Sequence, residues 1–231
     1  TGGDPLMLET RHLESVLRQL REIEHVNIIR IGSKMLAYNP YRILKDQNLL
    51  YVLSRYSTPE KRVYLMAHFN SPRELTDVTI RAAHELQKAG VIVVSQTPIL
   101  NGINSEPEIF TELFRKLSFA GISPYYVFQC RPSLGNRIFQ VPVEQSYEVL
   151  QKSWQACSGL AKRARFVMSH ATGKIEIVGK TAEHVFMRYH QSAEPENIGK
   201  FMVFKSNPVA QWFDDYRHAL TDFKPKKFWL L

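Results

Sequence analysis

Val91-Ile92-Val93-Val94-Ser95-Gln96 follows Gly90 and opens with four β-branched residues in a row. Side chains that are apolar at consecutive positions belong to a strand covered on both faces, as in a parallel sheet flanked by helices. The sequence on either side repeats that arrangement. Upstream, Arg62 to His68 reads as a strand, and Asn70-Ser71-Pro72-Arg73-Glu74 reads as a helix start. Ser71 is the expected N-cap, Pro72 the first helical residue and Glu74 the reciprocal partner. The helix is expected to run to about Ala89 and to stop at Gly90.

Further out, Leu13, Val16, Leu17, Leu20 and Ile23 keep three-four spacing and predict an amphipathic helix over residues 8–23. Val26-Asn27-Ile28-Ile29-Arg30-Ile31 reads as a short strand ending at Gly32. Downstream come a helix from about Pro107 to Ala120, a strand from Pro124 to Gln129 and a helix from Val143 to about Leu160. Four strand–helix units in succession predict an α/β fold with a parallel sheet, open or closed. After Lys162 the alternation changes. Arg165 to Ser169, Lys174 to Val178, His184 to Tyr189 and Lys200 to Phe204 read as strands without helices between them, and Asp214 to Leu220 as a short helix. The expected division is an α/β part over 1–162 and a β-rich antiparallel extension over 163–231.

The 231 residues are 44% hydrophobic and 23% charged, ordinary for a globular protein with a sizeable core. No apolar run approaches the roughly 18 residues that span a bilayer. Thr1-Gly2-Gly3-Asp4 lacks the basic and apolar regions of a signal peptide, so a cytoplasmic location is the default. Cys130 and Cys157 stand 27 residues apart, the wrong number and spacing for a disulfide scaffold or a metal site, and read as buried free thiols. The formal charge of +8 admits an anionic partner. Nucleic acid is not favoured, because the aromatic residues are not interleaved with Arg and Lys on one platform.

Ligands gather at the C-terminal ends of the strands in such sheets. Five such ends carry polar groups: Thr1-Gly2-Gly3-Asp4, Arg30 to Ser33, His68-Phe69-Asn70, Ser95-Gln96-Thr97 and Gln129-Cys130-Arg131. Each has a plain alternative. Gly-Gly-Asp makes a turn, His68 caps a helix, and Gln96 satisfies loop backbone.

Thr1-Gly2-Gly3-Asp4-Pro5-Leu6, Ile29-Arg30-Ile31-Gly32-Ser33 and His68-Phe69-Asn70-Ser71-Pro72-Arg73-Glu74 occur in that order. Ser95-Gln96-Thr97-Pro98-Ile99-Leu100-Asn101-Gly102-Ile103-Asn104 and Tyr125-Tyr126-Val127-Phe128-Gln129-Cys130 follow. The series resembles the successive motifs of the lysine 2,3-aminomutase family of radical S-adenosylmethionine enzymes, over roughly residues 1–180. The resemblance implies a partial (β/α) barrel of the radical S-adenosylmethionine type. It also implies three cofactors: S-adenosylmethionine, a 4Fe-4S cluster and pyridoxal 5′-phosphate. Gly2 and Gly3 would let backbone approach the S-adenosylmethionine amino group, and Asp4 would offset its charge. His68 and Gln96 would contact the adenosyl and ribose parts, and Arg30 would hold a carboxylate or support the strand-end network.

The family's Schiff-base lysine follows a glycine-rich run. Here the matching stretch is Ser169-His170-Ala171-Thr172-Gly173-Lys174, and Lys174 is the implied pyridoxal phosphate lysine; a turn lysine is the plain alternative. Where lysine-specific members carry acids, this chain has Arg131 and Val167. An alkyl group and a cation cannot bind an ammonium, whereas a guanidinium suits a carboxylate. A small amino-acid substrate that bears a further carboxylate, or a different small anion, is expected, with Arg131 facing it; pairing of Arg131 with a structural carboxylate is the alternative.

The family's C-x3-C-x2-C cluster motif is absent from the sequence. The chain therefore reads as an N-terminally truncated piece that holds no metal of its own and is inactive as given. Two other functions compete: a family member that has given up pyridoxal phosphate, as the eroded glycine run indicates, and a non-catalytic anion- or RNA-binding protein. Self-association, frequent in the family, is also expected.

Overall fold

In the computed structural model the described residues are 3–217 and 219–220. The first helix, α1 (Thr10–Glu22), buries Leu13 and Leu17 and leaves Val16 and Ile23 exposed. The first strand is β1 (Ile29–Ser33), which starts three residues later than the sequence predicts. The Arg21 guanidinium explains the delay: it donates to the carbonyls of Val26, Asn27, Tyr56 and Lys61 and holds 26–28 as a loop. Three short helices that the sequence reading does not contain come next: α2 (Met35–Tyr38), α3 (Tyr41–Leu44) and α4 (Gln47–Tyr56). Asp46 caps α4, accepting from the Leu49 amide, and also receives the hydroxyl of Thr10 at the start of α1.

Strand β2 (Val63–His68) leads to a 3-10 turn at Pro72–Glu74 and then to α5 (Asp77–Lys88). The expected continuous helix is thus broken. Ser71 does cap the turn, but Leu75 leaves helical geometry and Thr76 caps α5 afresh by accepting from the Thr79 amide. Glu74 reaches back to the Asn70 amide, one residue earlier than a capping box requires. The remaining alternation is β3 (Ile92–Pro98), α6 (Pro107–Phe119), β4 (Ser123–Phe128), α7 (Val143–Gln155) and β5 (Arg165–His170). Then follow β6 (Gly173–Lys180), β7 (His184–Ser192) and β8 (Phe201–Lys205). A 3-10 turn at Phe213–Asp215 overlaps only the first two residues of the short helix expected over Asp214 to Leu220, and residues 216–217 are not helical.

All eight strands form one sheet in chain order. Strands β1 to β5 are parallel, and β5 to β8 antiparallel. The expectation grouped Arg165–Ser169 with the antiparallel strands. It is instead the fifth parallel strand, and the antiparallel part begins at β6. Parallel strands in strict chain order, with no reversal, follow the winding of a (β/α) barrel and not of a doubly wound sheet. The fold is a partial barrel with an antiparallel extension.

The two faces of the sheet differ. Ile29, Ile31, Val63, Leu65, Ala67, Val93, Val127, Phe166, Met168, Ile175 and Ile177 face the helices and belong to a single core with Leu13, Leu86, Leu117 and Leu150. Strand pleating sends the alternate residues to the opposite face. Those residues include Arg30, His68, Gln96, Tyr126, Phe128, Arg165 and Glu176, so the face away from the helices is the one that carries chemistry.

Candidate functional site

Lys174 stands at the start of β6, beside Ser169 of β5, after a tight hairpin. Its Nζ lies 4.1 Å from the ring centroid of Tyr126 and 5.7 Å from that of Phe128. Burial and the Arg30 guanidinium across the face lower its pKa below the ordinary lysine range. The hairpin depends on Gly173, whose φ is +145° and whose missing Cβ would lie 2.2 Å from the Gln191 carbonyl oxygen. That close approach explains why glycine stands immediately before the lysine.

Around Lys174 the strands supply a connected set of polar groups. The Tyr126 hydroxyl is 2.8 Å from His190 Nε2, and Arg165 reaches His190 Nδ1 at 3.1 Å. Glu176 receives Arg188 at 2.8 Å and Arg165 at 3.4 Å. The Tyr126 phenol is pushed well up by burial and by its neighbour Tyr125, so it is neutral. Burial together with Arg165 holds His190 below the usual histidine range.

A second network crosses the ends of β1 and β2. Asp4 accepts from the Ser33 hydroxyl at 2.9 Å and the Lys34 amide at 2.7 Å. Lys34 pairs with Glu74 at 2.9 Å, and Glu74 accepts from the Asn70 amide. Asn70 Oδ1 stands 2.6 Å from His68 Nε2. Burial, with Lys34 nearby, lowers the His68 pKa and keeps the ring neutral. His68 is the register neighbour of Gln96 on β3. Fully buried Asn104 ties this end together by donating to the Asn70 and Pro98 carbonyls.

His68, Gln96, Phe128, Gln129, Arg131 and Trp212 are among the residues that line a cavity of about 330 Å³ at the strand ends. Arg131 makes no ion pair among the described residues. One wall comes from the segment after β8, which returns over the strand ends as a strap. Buried Glu144, in the first turn of α7, accepts from the Ser206 hydroxyl, the Asn207 amide and the Tyr216 hydroxyl. The Val143 amide donates to the Ala210 carbonyl, and Gln129 Nε2 to that of Gln211.

No family model matches the chain. A putative L-lysine 2,3-aminomutase of Aquifex aeolicus is 54% identical over 225 residues, covering 97% of this chain and 60% of that protein. The chain belongs to the lysine 2,3-aminomutase family. The L-lysine 2,3-aminomutase of Clostridium subterminale is 38% identical over 65% of the chain and 35% of its own length. The glutamate 2,3-aminomutase of Clostridioides difficile is 35% identical over 70% of the chain and 37% of its own length. The chain thus spans less than two thirds of each of these relatives.

Among the residues that the family resemblance singles out, Arg30, His68, Gln96 and Lys174 share the face away from the helices, and Arg131 joins His68 and Gln96 at the cavity. Asp4 spends both carboxylate oxygens within the chain, on Leu6, Ser33 and Lys34. Gly3 has φ +78° and open space where a Cβ would stand; Gly2 lies outside the described residues. Tyr126, Arg165, Glu176, His190, Trp212 and Glu144 were not found from sequence. Tyr126 was within reach, since it stands two residues before Phe128 and so shares its face. Nothing local marks His190 or Trp212, which arrive from distant parts of the chain.

Proposed function

We propose that this chain supplies the substrate-binding and pyridoxal phosphate-binding side of a radical S-adenosylmethionine 2,3-aminomutase whose amino-acid substrate bears a further carboxylate. One observation carries the reading. Lys174 presents an amine with a lowered pKa on an aromatic surface, on the same polar face as Arg30 and next to a cavity lined by Arg131, which has no ion-pair partner among the described residues.

The residues fit pyridoxal phosphate. A lowered pKa raises the fraction of neutral, nucleophilic amine that the aldehyde needs, and Arg30 is a permanent cation near that amine for the phosphate. When bound, the cofactor supplies an aldehyde that carries the migrating nitrogen. For S-adenosylmethionine, His68 and Gln96 offer polar contacts at adjacent strand ends, with His68 neutral and so able to accept as well as donate. The iron–sulfur cluster does not fit the described residues. Cys130 and Cys157 are both buried, and no group of three or more His, Cys, Asp or Glu could hold a metal ion there.

Within this frame the chain's own residues bind and orient. Lys174 holds the amino end of the site, and Arg131 receives the distal carboxylate in a bidentate pair. Val167, fully buried beside Phe128, supplies no carboxylate at its own position for a distal ammonium, and its register neighbour Glu176 is engaged by Arg188 and Arg165. Trp212 and Phe128 exclude water from the cavity.

The test is spectroscopic. Protein mixed with pyridoxal phosphate should develop a Schiff-base absorbance that Lys174→Ala removes. L-Glutamate or L-aspartate should then displace Lys174 at lower concentration than L-lysine. Equal effectiveness of L-lysine would overturn the carboxylate assignment. A spectrum unchanged by Lys174→Ala would instead favour a family member without pyridoxal phosphate.

A further inference from the structure

His190, on β7, lies outside the stretch that carries the family motifs, yet it touches the surface on which Lys174 rests. Its hydrogen-bond roles can be assigned without seeing a hydrogen. Arg165 NH1 stands 3.1 Å from His190 Nδ1. A guanidinium only donates, so Nδ1 must offer its lone pair. The imidazole is therefore neutral with its proton on Nε2, and Nε2 donates to the Tyr126 hydroxyl oxygen 2.8 Å away. Glu176 lies 3.9 Å from the same Nδ1 and, among the described residues, is the nearby group that would favour a proton there. It is already engaged by Arg188 at 2.8 Å. Arg165, Lys174 and Arg188 are the other charged groups around the ring, all cations that oppose a second proton.

The consequence falls on Lys174. A tyrosine ring in a strand can swing about its side-chain torsions, and an ammonium 4.1 Å above its centroid would follow it. The bond from His190 fixes the far end of the ring, and the edge-on contact between the two rings, with centroids 5.9 Å apart, fixes its tilt.

We propose that His190 is a positioning residue for Lys174, acting through Tyr126: as the neutral Nε2–H tautomer, oriented by Arg165, it holds the ring against which the lysine amine is placed. The inference rests on the proposed role of Lys174 as the amine that takes pyridoxal phosphate.

Two measurements test it. In ¹⁵N-labelled protein at neutral pH, His190 should show a protonated Nε2 and an unprotonated Nδ1. The opposite tautomer, or an imidazolium, overturns the proposal regardless of any cofactor. The second measurement incubates the protein with pyridoxal phosphate, reduces it with borohydride and counts modification lysine by lysine by peptide mass spectrometry. Loss of one positioning hydrogen bond should lower Lys174 labelling in His190→Leu by about five- to tenfold relative to the other lysines. His190→Gln should restore most of it, because the amide oxygen can accept from Arg165 while the amide nitrogen donates to Tyr126. Tyr126→Phe should match His190→Leu, and the double variant should lose no more than either alone. General unfolding would raise labelling at every lysine instead. Unchanged Lys174 labelling in His190→Leu overturns the inference and leaves the role of Lys174 intact. Absence of Lys174 labelling in the wild-type protein overturns both.

Discussion

The Nζ of Lys174 lies 4.1 Å from the centroid of the Tyr126 ring, joining a residue of the antiparallel extension to a strand of the parallel sheet. The aromatic face favours the charged amine, whereas burial and Arg30 disfavour it, and the net pKa is lowered. Removing the Arg30 charge favours the ammonium and raises the pKa. At a fixed mildly alkaline pH less neutral amine remains, so in Arg30→Met the reaction of Lys174 with pyridoxal phosphate should slow by about three- to tenfold. The check is the rate profile against pH, which should move to higher pH in the variant; an unmoved profile would remove Arg30 from the account.

Gly173 holds the hairpin that presents Lys174. A Cβ there would lie 2.2 Å from the Gln191 oxygen and 2.8 Å from the Ser192 Cα, and both obstacles are backbone. Gly173→Ala should therefore cost about 2 kcal/mol or more of stability, beyond the ordinary cost of a strained φ. Urea unfolding measures it. Amide exchange should show the loss concentrated in β6 and β7.

Glu144 tests the strap. In Glu144→Ala, the Ser206 hydroxyl, the Asn207 amide and the Tyr216 hydroxyl lose their shared acceptor. Ser206 and Asn207 are only half-buried, so each lost hydrogen bond costs about 0.5–1.5 kcal/mol, and a destabilisation of about 2–4 kcal/mol is expected for the three together. Limited proteolysis should cut first between 206 and 217. Glu144→Gln keeps one acceptor oxygen and should fall between the two.

Trp212 is 9% exposed and shares the cavity with Arg131. Its replacement by Ala should widen the cavity and relax discrimination between short and long acidic amino acids by about 10-fold or more, the scale of one or two methylenes in a pocket. Competition against the Schiff-base absorbance of the loaded protein reads this directly. Trp212→Phe keeps an aromatic wall and should retain most of the selectivity.

The sequence by itself determined the alternation of strands and helices, the parallel character of the sheet and the family, because these rest on local patterns: the apolar run at Val91–Val94, the glycines that stop helices, and motifs at successive strand ends. It placed His68, Gln96 and Arg131 at those ends for the same reason, and Lys174 at the start of a strand, after Gly173. It misjudged Val26–Ile28, where an arginine from α1 takes the carbonyls that a strand would use, and Arg165–Ser169, whose parallel partner β4 lies on the far side of α7, at Phe128↔Val167. Only the tertiary structure decided what surrounds Lys174. Tyr126, Arg165 and His190 are joined by hydrogen bonds between side chains on β4, β5 and β7, and Trp212 reaches the cavity through a buried carboxylate on α7. Contacts of that kind depend on which strands are neighbours and which faces they share, and pairing across a sheet leaves no periodic trace in any one segment of the chain.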